Sequence, residues 1–289
     1  MYVTRSPTDD MVVPLRVERV QCLLSDGPSS GPPDPDERAF LTEYLSDLVR
    51  PHRFGLLEHV IEEGAGHRYE MMVEELITAT VRPPSPVDLV VLAFAVPDVR
   101  AGRTAATYRG RACPGDPLSF AVCDQGTAAA FTALRLIAEL TGSGSCRRAL
   151  LLVVEQGILP YQPTVPVVLP DRSAAVALLC GADGPAGFAS SRQHAGVGPD
   201  RLDELLASEL ADLCAGPQPA TLIVGEGLAD RAPGMSPVGD VRPARPGQPG
   251  TGVWWELAGE LARAGRRRVV LADYEQTLGY LCLAAFDVD

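Results

Sequence analysis

The sequence predicts an α/β protein in which helices pack against sheets. Segments with helical periodicity alternate along the chain with short, almost uninterrupted apolar runs such as residues 148–156 and 220–227. Such runs are typical of strands covered on both faces, which is the environment that helices on each side of a sheet provide. The alternation occurs in two comparable units, residues 70–156 and 171–289, so we expect an internal duplication of structure.

Periodicity, together with the positions of proline and glycine, sets the predicted elements. The predicted strands are residues 15–24, 87–96, 117–124, 148–156, 173–181, 220–227, 266–275 and 279–288. The predicted helices are residues 37–49, 69–81, 127–140, 200–214 and 252–265. Segment 25–37 contains four prolines and is predicted to be a loop, because proline removes backbone donors from helices and sheets. The Gly/Pro-rich segment 230–250 is predicted to be a loop at an active site or an interface.

Composition argues against a nucleic-acid partner. The 289 residues carry a formal net charge of −12, whereas phosphate binding depends on clustered cations. All 25 basic residues are arginines, and the chain contains no asparagine. Local basic runs occur at residues 147–148 and 266–268 and would suit an acidic partner, although a charge run beside a strand is usually a solvated edge.

Cysteine usage and hydropathy indicate a cytoplasmic protein. The seven cysteines are widely spaced and form no C-x-x-C pair, so neither disulfides nor a metal site is predicted, and no cofactor is expected. Residues 1–13 lack the basic and apolar regions of a signal peptide. No apolar run approaches the ~18 residues of a membrane span, so no membrane contact is expected.

The segment SFAVCDQGTAAAFTALRLIAEL, residues 119–140, reads as a strand, a tight glycine turn and a helix. In enzymes a turn of this kind often presents a nucleophile at a helix N-terminus. Cys123 lies three residues before the turn glycine, Gly126, and Thr127 follows it. These three residues are the first candidates for a reactive site.

Four stretches, in their order and spacing, resemble the thiolase superfamily and specifically its ketosynthase III branch, the β-ketoacyl-acyl carrier protein synthases III. They are residues 69–98 (YEMMVEEL…FAVPD), 120–156 (FAVCDQG…LLVVEQ), 167–181 (VVLPDRSAAVALLCG) and 247–286 (GQPGTGVWW…CLAAF). The resemblance covers residues 69–289. It implies a thiolase-like fold with two pseudo-symmetric halves, 1–160 and 161–289, in a layered α/β/α/β/α arrangement. The helices that begin near Thr127 and Gly252 should be buried at its centre.

The resemblance also implies a Cys-His-Asn triad, which this sequence lacks. The cysteine position falls on Gly126 or Thr127, according to whether one counts from the strand or from the helix. The histidine position falls on Glu226, where a carboxylate would repel a developing oxyanion. The asparagine position falls on Gln248. The chain is therefore expected to be a degenerate member, a pseudoenzyme without independent condensing activity.

Other side chains near these positions have simpler interpretations. Cys123 is the candidate nucleophile if the chain is active, but a thiol packed within the strand is favoured. Thr127 is the second candidate, although a threonine hydroxyl is a weak nucleophile without an adjacent base. Glu155 and Asp273 end strands, where acidic side chains are expected to be solvated.

Two classes of function are consistent with these residues. In the first, the chain is a non-catalytic ketosynthase III-like subunit that pairs with an active ketosynthase in polyketide or fatty-acyl secondary metabolism, shaping the pocket or the chain length. In the second, it is an acyltransferase or hydrolase that acts on acyl thioesters with Cys123 or Thr127. Three replacements in the triad favour the first class. A regulatory thioester-binding protein is a third alternative.

The resemblance further implies association through the strand before the elbow, residues 117–124. We expect a homodimer, or a heterodimer with a ketosynthase III-like paralogue, with Phe120 and Val122 at the interface. An acyl carrier protein or acyl-coenzyme A is the expected carrier of any acyl group. No metal is expected in the site.

Overall fold

The computed structural model describes residues 14–25, 31–82, 85–100, 113–164 and 166–289. The twelve strands in this part of the chain, β1 to β12, are Arg16–Ser25, Gly55–Leu56, Leu89–Ala93, Leu118–Val122, Ala149–Glu155, Tyr161–Gln162, Ser173–Gly181, Ala186–His194, Ala220–Val224, Asp240–Pro243, Arg267–Glu275 and Tyr280–Val288. The six α-helices, α1 to α6, are Pro35–Val49, Glu58–Glu63, Tyr69–Thr80, Ala128–Gly142, Pro199–Leu213 and Gly252–Leu261. Stretches of 3₁₀-helix cover Arg50–His52 and Glu226–Val238.

Most predicted elements are present, and two predicted loops contain structure. Helix α1 begins inside predicted loop 25–37, because Asp34 caps its N-terminus by accepting a hydrogen bond from the Glu37 N–H at 2.8 Å. Residues 26–30 of that loop lie outside the described residues. Segment 230–250, predicted to be a loop, contains 3₁₀-helix and strand β10.

Ten strands form one sheet whose pattern repeats. Their order is β10-β9-β11-β12-β8-β1-β7-β5-β3-β4, while β2 and β6 form a separate pair. The set β1, β3, β4, β5 and β7 matches the set β8, β9, β10, β11 and β12 in order. The matching pairs also agree in direction, with two antiparallel and two parallel pairings in each set. The internal duplication expected from the sequence is therefore present in the topology.

The repeat breaks between β7 and β8, after Gly181. The predicted second unit began at residue 171, but β7 pairs with β1 and β5 and so completes the first set of strands. Only two residue pairs join β1 to β8 at the junction between the sets. The domain division at 160/161 stays a prediction, because the ten-stranded sheet is continuous where β1 pairs with β8.

Helices α4 and α6 lie between the two sets of strands. Helix α4 contacts β3 and β5 of one set and β8 and β12 of the other. Its residues are apolar on most faces, and Phe131 packs against Trp254 of α6 with ring centroids 5.1 Å apart. Helix α3 packs on the outer face of the first set and α5 on the outer face of the second. The α/β/α/β/α layers and the central burial of both helices are thus confirmed.

Strand β4 is the last strand at one end of the sheet. It pairs in parallel with β3, and no described strand pairs with its other side. Parallel strands place their carboxyl ends at a common edge, so the elbow that follows β4 and the residues that follow β3 and β5 lie at the same edge. This edge is where the predicted site residues meet.

Candidate functional site at the elbow before helix α4

The turn between β4 and α4, residues 123–127, has an unusual backbone. Asp124 and Gly126 both have positive φ angles, 60° and 53°. A Cβ atom on Gly126 would come within 2.1 Å of Glu275 Oε2. Position 126 therefore has room for a nucleophilic side chain only if the Glu275 carboxylate moves away.

Two carboxylates from the end of β11 hold Thr127. Its backbone N–H donates to Glu275 Oε2 at 3.0 Å, and its hydroxyl donates to the carboxylate of Asp273. Asp273 is 2% exposed, and burial raises its pKa to about 6 against the effect of hydrogen bonds from Thr127 and from the N–H groups of Tyr274 and Gly227. An oxyanion formed at Thr127 would meet negative charge where catalysis requires free N–H donors.

A third carboxylate, Glu155 at the end of β5, holds the N-terminus of α6. It accepts hydrogen bonds from the N–H groups of Gly250 at 2.7 Å and Thr251 at 3.0 Å, and from the Thr251 hydroxyl. The side chain is 2% exposed, and burial raises its pKa to about 7, with the charge of Glu226 adding to the rise. The expectation that Glu155 and Asp273 are solvated is wrong, because internal donors replace water around both.

Glu155 and Glu275 play matching roles in the repeat. Each is the last residue of the fourth strand of its set, and each accepts a hydrogen bond at the N-terminus of the central helix of the other set. The N-terminus of a helix carries partial positive charge and is a common site for anions. In this chain both termini are occupied by its own carboxylates.

Gln248 is 2% exposed, and its side-chain amide is used inside the protein. Nε2 donates to the carbonyl of Arg172 at 3.1 Å and to that of Gly247 at 2.7 Å. Oε1 lies 3.3 Å from the Thr251 hydroxyl oxygen, and the Gln248 N–H donates to Glu226 Oε1 at 3.1 Å. Because an amide nitrogen has two hydrogens, no side-chain donor of Gln248 remains for an oxyanion.

The structure brings the three degenerate triad positions together. Asp273 bonds both to Thr127 and to the N–H of Gly227, the neighbour of Glu226, and Glu226 bonds to Gln248. Four carboxylates surround these positions and are called the carboxylate cluster below: Glu155, Glu226, Asp273 and Glu275. Sequence reasoning missed Glu275 and the role of Glu155, although two matching strands that both end in glutamate were a visible signal.

Cys123 lies in the turn directly after β4, and not within the strand as predicted. Its Sγ is 3.4 Å from Asp124 Oδ2. Burial raises the pKa of the thiol, and the hydrogen bond and charge of Asp124 raise it further. Since the thiolate is the reactive form, these surroundings work against Cys123 as a nucleophile.

The residues predicted for an interface differ in orientation along β4. Val122 is 8% exposed and packs in the central core, while Phe120 is half-buried against it. Leu118 is 64% exposed on the same strand. A contact along this edge would therefore use Leu118 and part of Phe120 more directly than Val122.

The described residues contain no group of three or more histidine, cysteine, aspartate or glutamate side chains placed to hold a metal ion. Within the same residues, no helix has the length and apolar character needed to cross a membrane.

No protein-family model and no curated protein matches the sequence. Solved structures do match over nearly the whole chain. AbyA1, a tetronic acid condensing enzyme, has a TM-score of 0.65 at 16% identity, with 94% of this chain and 99% of that chain covered. The acyltransferase ChlB3 has a TM-score of 0.62 at 14% identity, with 95% and 98% covered. The chain has a thiolase-like fold. Cerulenin-bound OleA of Xanthomonas campestris is a further neighbour, with a TM-score of 0.57, 12% identity and 96% of each chain covered.

Proposed function

We propose that this chain is a non-catalytic ketosynthase III-like subunit. It acts in the cytoplasm in polyketide or fatty-acyl secondary metabolism, as a homodimer or paired with an active ketosynthase III-like paralogue. In the second case it shapes the partner's pocket or sets the chain length. The observation that carries the proposal is the carboxylate cluster, which occupies the N-termini of both central helices.

Condensation of acyl thioesters needs a thiolate and donors for an oxyanion. At the elbow Gly126 has no side chain, and the N–H of Thr127 is bonded to Glu275. The amide of Gln248 is bonded to two carbonyls, so it has no hydrogen for a thioester oxygen. A carbonyl carbon attacked here would develop negative charge beside existing negative charge, which raises the barrier.

The exposed edge of β4 supports a role as a subunit. An edge strand whose outer side pairs with no strand among the described residues, and which has a leucine that is 64% exposed, favours pairing with another chain. The expected partner surface is a second β4 edge, so that the sheet continues from one subunit into the next.

The carrier of an acyl group in such an assembly would be acyl-coenzyme A or an acyl carrier protein. OleA, which shares this fold, has been crystallised with lauroyl-CoA. In the proposed assembly the active partner holds the acyl group and performs the chemistry.

A second candidate function rests on Thr127 and Asp273. The threonine hydroxyl donates to a buried carboxylate whose pKa is raised to about 6, which is the arrangement of a nucleophile with its base. In that case the chain would be an acyltransferase or hydrolase acting on acyl thioesters. The Glu275 carboxylate on the Thr127 N–H argues against this candidate. Cys123 is weaker still, because its pKa is raised.

Incubation with lauroyl-CoA, followed by mass spectrometry of the intact protein and an assay for released thiol, separates the two functions. The non-catalytic proposal predicts no covalent adduct and no release above that of the Thr127→Ala variant. An adduct that disappears in Thr127→Ala, or in Cys123→Ser, would overturn it and establish the acyl-transfer alternative.

A further inference from the structure

A groove of about 740 Å³ lies at the opposite edge of the sheet from the carboxylate cluster. It is formed near the amino ends of β3 and β5 and the carboxyl end of β7. Four arginines line it: Arg19, Arg82, Arg147 and Arg148. We refer to it as the arginine groove.

A bulge in β1 and a glycine in β7 build the groove. The register between β1 and β7 shifts between Val17 and Arg19, so Glu18 is an extra residue in the strand. Neighbouring strand residues normally point to opposite faces, but here Glu18 and Arg19 both line the groove. A Cβ atom on Gly181 would lie 2.0 Å from Glu18 Oε1, so the glycine leaves space for this carboxylate.

An arginine pairs with one of the three acids in the groove, and backbone N–H groups donate to a second. Both oxygens of Glu18 accept hydrogen bonds from Arg148, at 2.7–3.1 Å. Asp88 Oδ2 accepts hydrogen bonds from the backbone N–H groups of Arg147 and Arg148, with N···O distances of 2.8 and 3.0 Å. Asp183 is the remaining acid, and both it and Asp88 are exposed.

The other arginines keep free donors. Arg19 is anchored by one bond, from Nη1 to the carbonyl of Thr80 at 3.1 Å. Arg82 and Arg147 are exposed, and within the described part of the chain neither guanidinium pairs with an acid. Three guanidinium groups thus face the exposed carboxylates of Asp88 and Asp183, so the groove has a net positive charge on a protein whose net charge is −12.

The second basic run of the sequence, residues 266–268, is different. Arg267 donates to Glu260 and to backbone carbonyls, and Arg268 donates to both oxygens of Asp287. These two guanidinium groups serve the protein's own structure. The run at 147–148 instead lines the arginine groove, where the Arg147 guanidinium has no acidic partner among the described residues.

We propose that the arginine groove binds a phosphorylated small molecule that carries at least two negative charges. Planar guanidinium groups with free N–H donors match phosphate oxygens in pairs. The volume lies within the range of small-molecule sites, and Pro86 adds an apolar wall for the organic part of a ligand. The inference does not depend on the proposed subunit role, because the groove and the carboxylate cluster lie at opposite edges of the sheet.

Isothermal titration calorimetry at low ionic strength tests this, with inorganic pyrophosphate and ADP as separate probes. We expect one site per chain. The double variant Arg82→Gln/Arg147→Gln should bind at least tenfold more weakly, because it removes two of the guanidinium groups that face the ligand. It should still fold, because both side chains are exposed. The matched control Arg201→Gln/Arg266→Gln removes two exposed arginines elsewhere and should bind as the unmodified protein does.

Two results would support the proposal, and they distinguish between two kinds of ligand. Tighter binding of ADP than of pyrophosphate indicates a nucleotide-like ligand, and equal binding indicates recognition of the phosphates alone. Absence of binding for both probes overturns the proposal, as does an equal loss in the control variant. Binding of an acidic carrier protein without binding of either probe would also overturn it and identify a protein-docking surface instead.

Discussion

A cysteine placed at the elbow should be an unreactive thiol. The variant Thr127→Cys puts a sulfur at the N-terminus of α4, where a helix terminus normally lowers the pKa of a thiol. Here Glu275 accepts a hydrogen bond from the backbone N–H of residue 127, and Asp273 accepts one from the side chain of residue 127. The two carboxylates oppose the helix, so the thiolate is disfavoured.

The size of this effect follows from Coulomb's law. A unit charge at ~5 Å with an effective dielectric constant of ~20 contributes about 3 kcal/mol, or about 2 pKa units. A thiol with an ordinary pKa of ~8.5 would then titrate above ~10, so its thiolate fraction at neutral pH would fall about a hundredfold. Replacing Glu275 with glutamine in the same background keeps an acceptor for the N–H and removes one charge, so it should restore the part of the reactivity that Glu275 suppresses, while Asp273 remains.

Alkylation by iodoacetamide, followed by peptide mass spectrometry, measures the rate at this thiol separately from the seven native cysteines. We expect Thr127→Cys to react far more slowly than free glutathione, and Thr127→Cys/Glu275→Gln to react ten to about a hundred times faster than the single variant. Glu204→Gln, an exposed residue on α5, makes the same charge change as a control and should have no effect. A single variant as reactive as glutathione would refute the electrostatic argument.

Three further predictions concern stability. Burial raises the pKa of Glu155 from 4.5 to about 7 and that of Asp273 from 3.8 to about 6. Between about pH 4 and pH 7 the folded state therefore binds more protons than the unfolded state, so the free energy of unfolding falls as the pH rises through this range. Urea titrations should give Glu155→Gln a flatter pH profile, by up to about 3 kcal/mol. Gln248→Ala leaves two carbonyls without donors and should cost about 2 kcal/mol in the same assay. Phe131→Ala opens a cavity beside Trp254, and calorimetry should show a loss of about 4 kcal/mol.

The sequence predicted the buried elements well. Strand β5 is entirely buried and helix α4 is apolar on most faces, so pattern and environment agree there. Strand β8, AGFASSRQH, was missed because it is half-buried and mixes polar with apolar residues. Strand β7 was assigned to the wrong set of strands, since an apolar run does not encode which strand it will pair with.

The site was predictable in position but not in chemistry. Thr127, Glu226 and Gln248 could be located by resemblance, and the structure brings them together. What the sequence could not provide is which acids reach the helix termini. Glu275 lies 148 positions after Thr127, and its role depends on how β11 ends beside α4.

Light scattering after size exclusion measures whether the chain associates, as a non-catalytic subunit must. We expect a mass of at least twice the 30.6 kDa chain, for the protein alone or mixed with a ketosynthase III-like protein encoded beside it. Leu118→Arg, on the β4 edge, should dissociate the complex by placing an unpaired charge in the contact. Leu278→Arg, at an exposed leucine in the turn after β11, should not. A chain that stays monomeric with every such partner would rule out the subunit role, and a complex that survives Leu118→Arg would rule out association through β4.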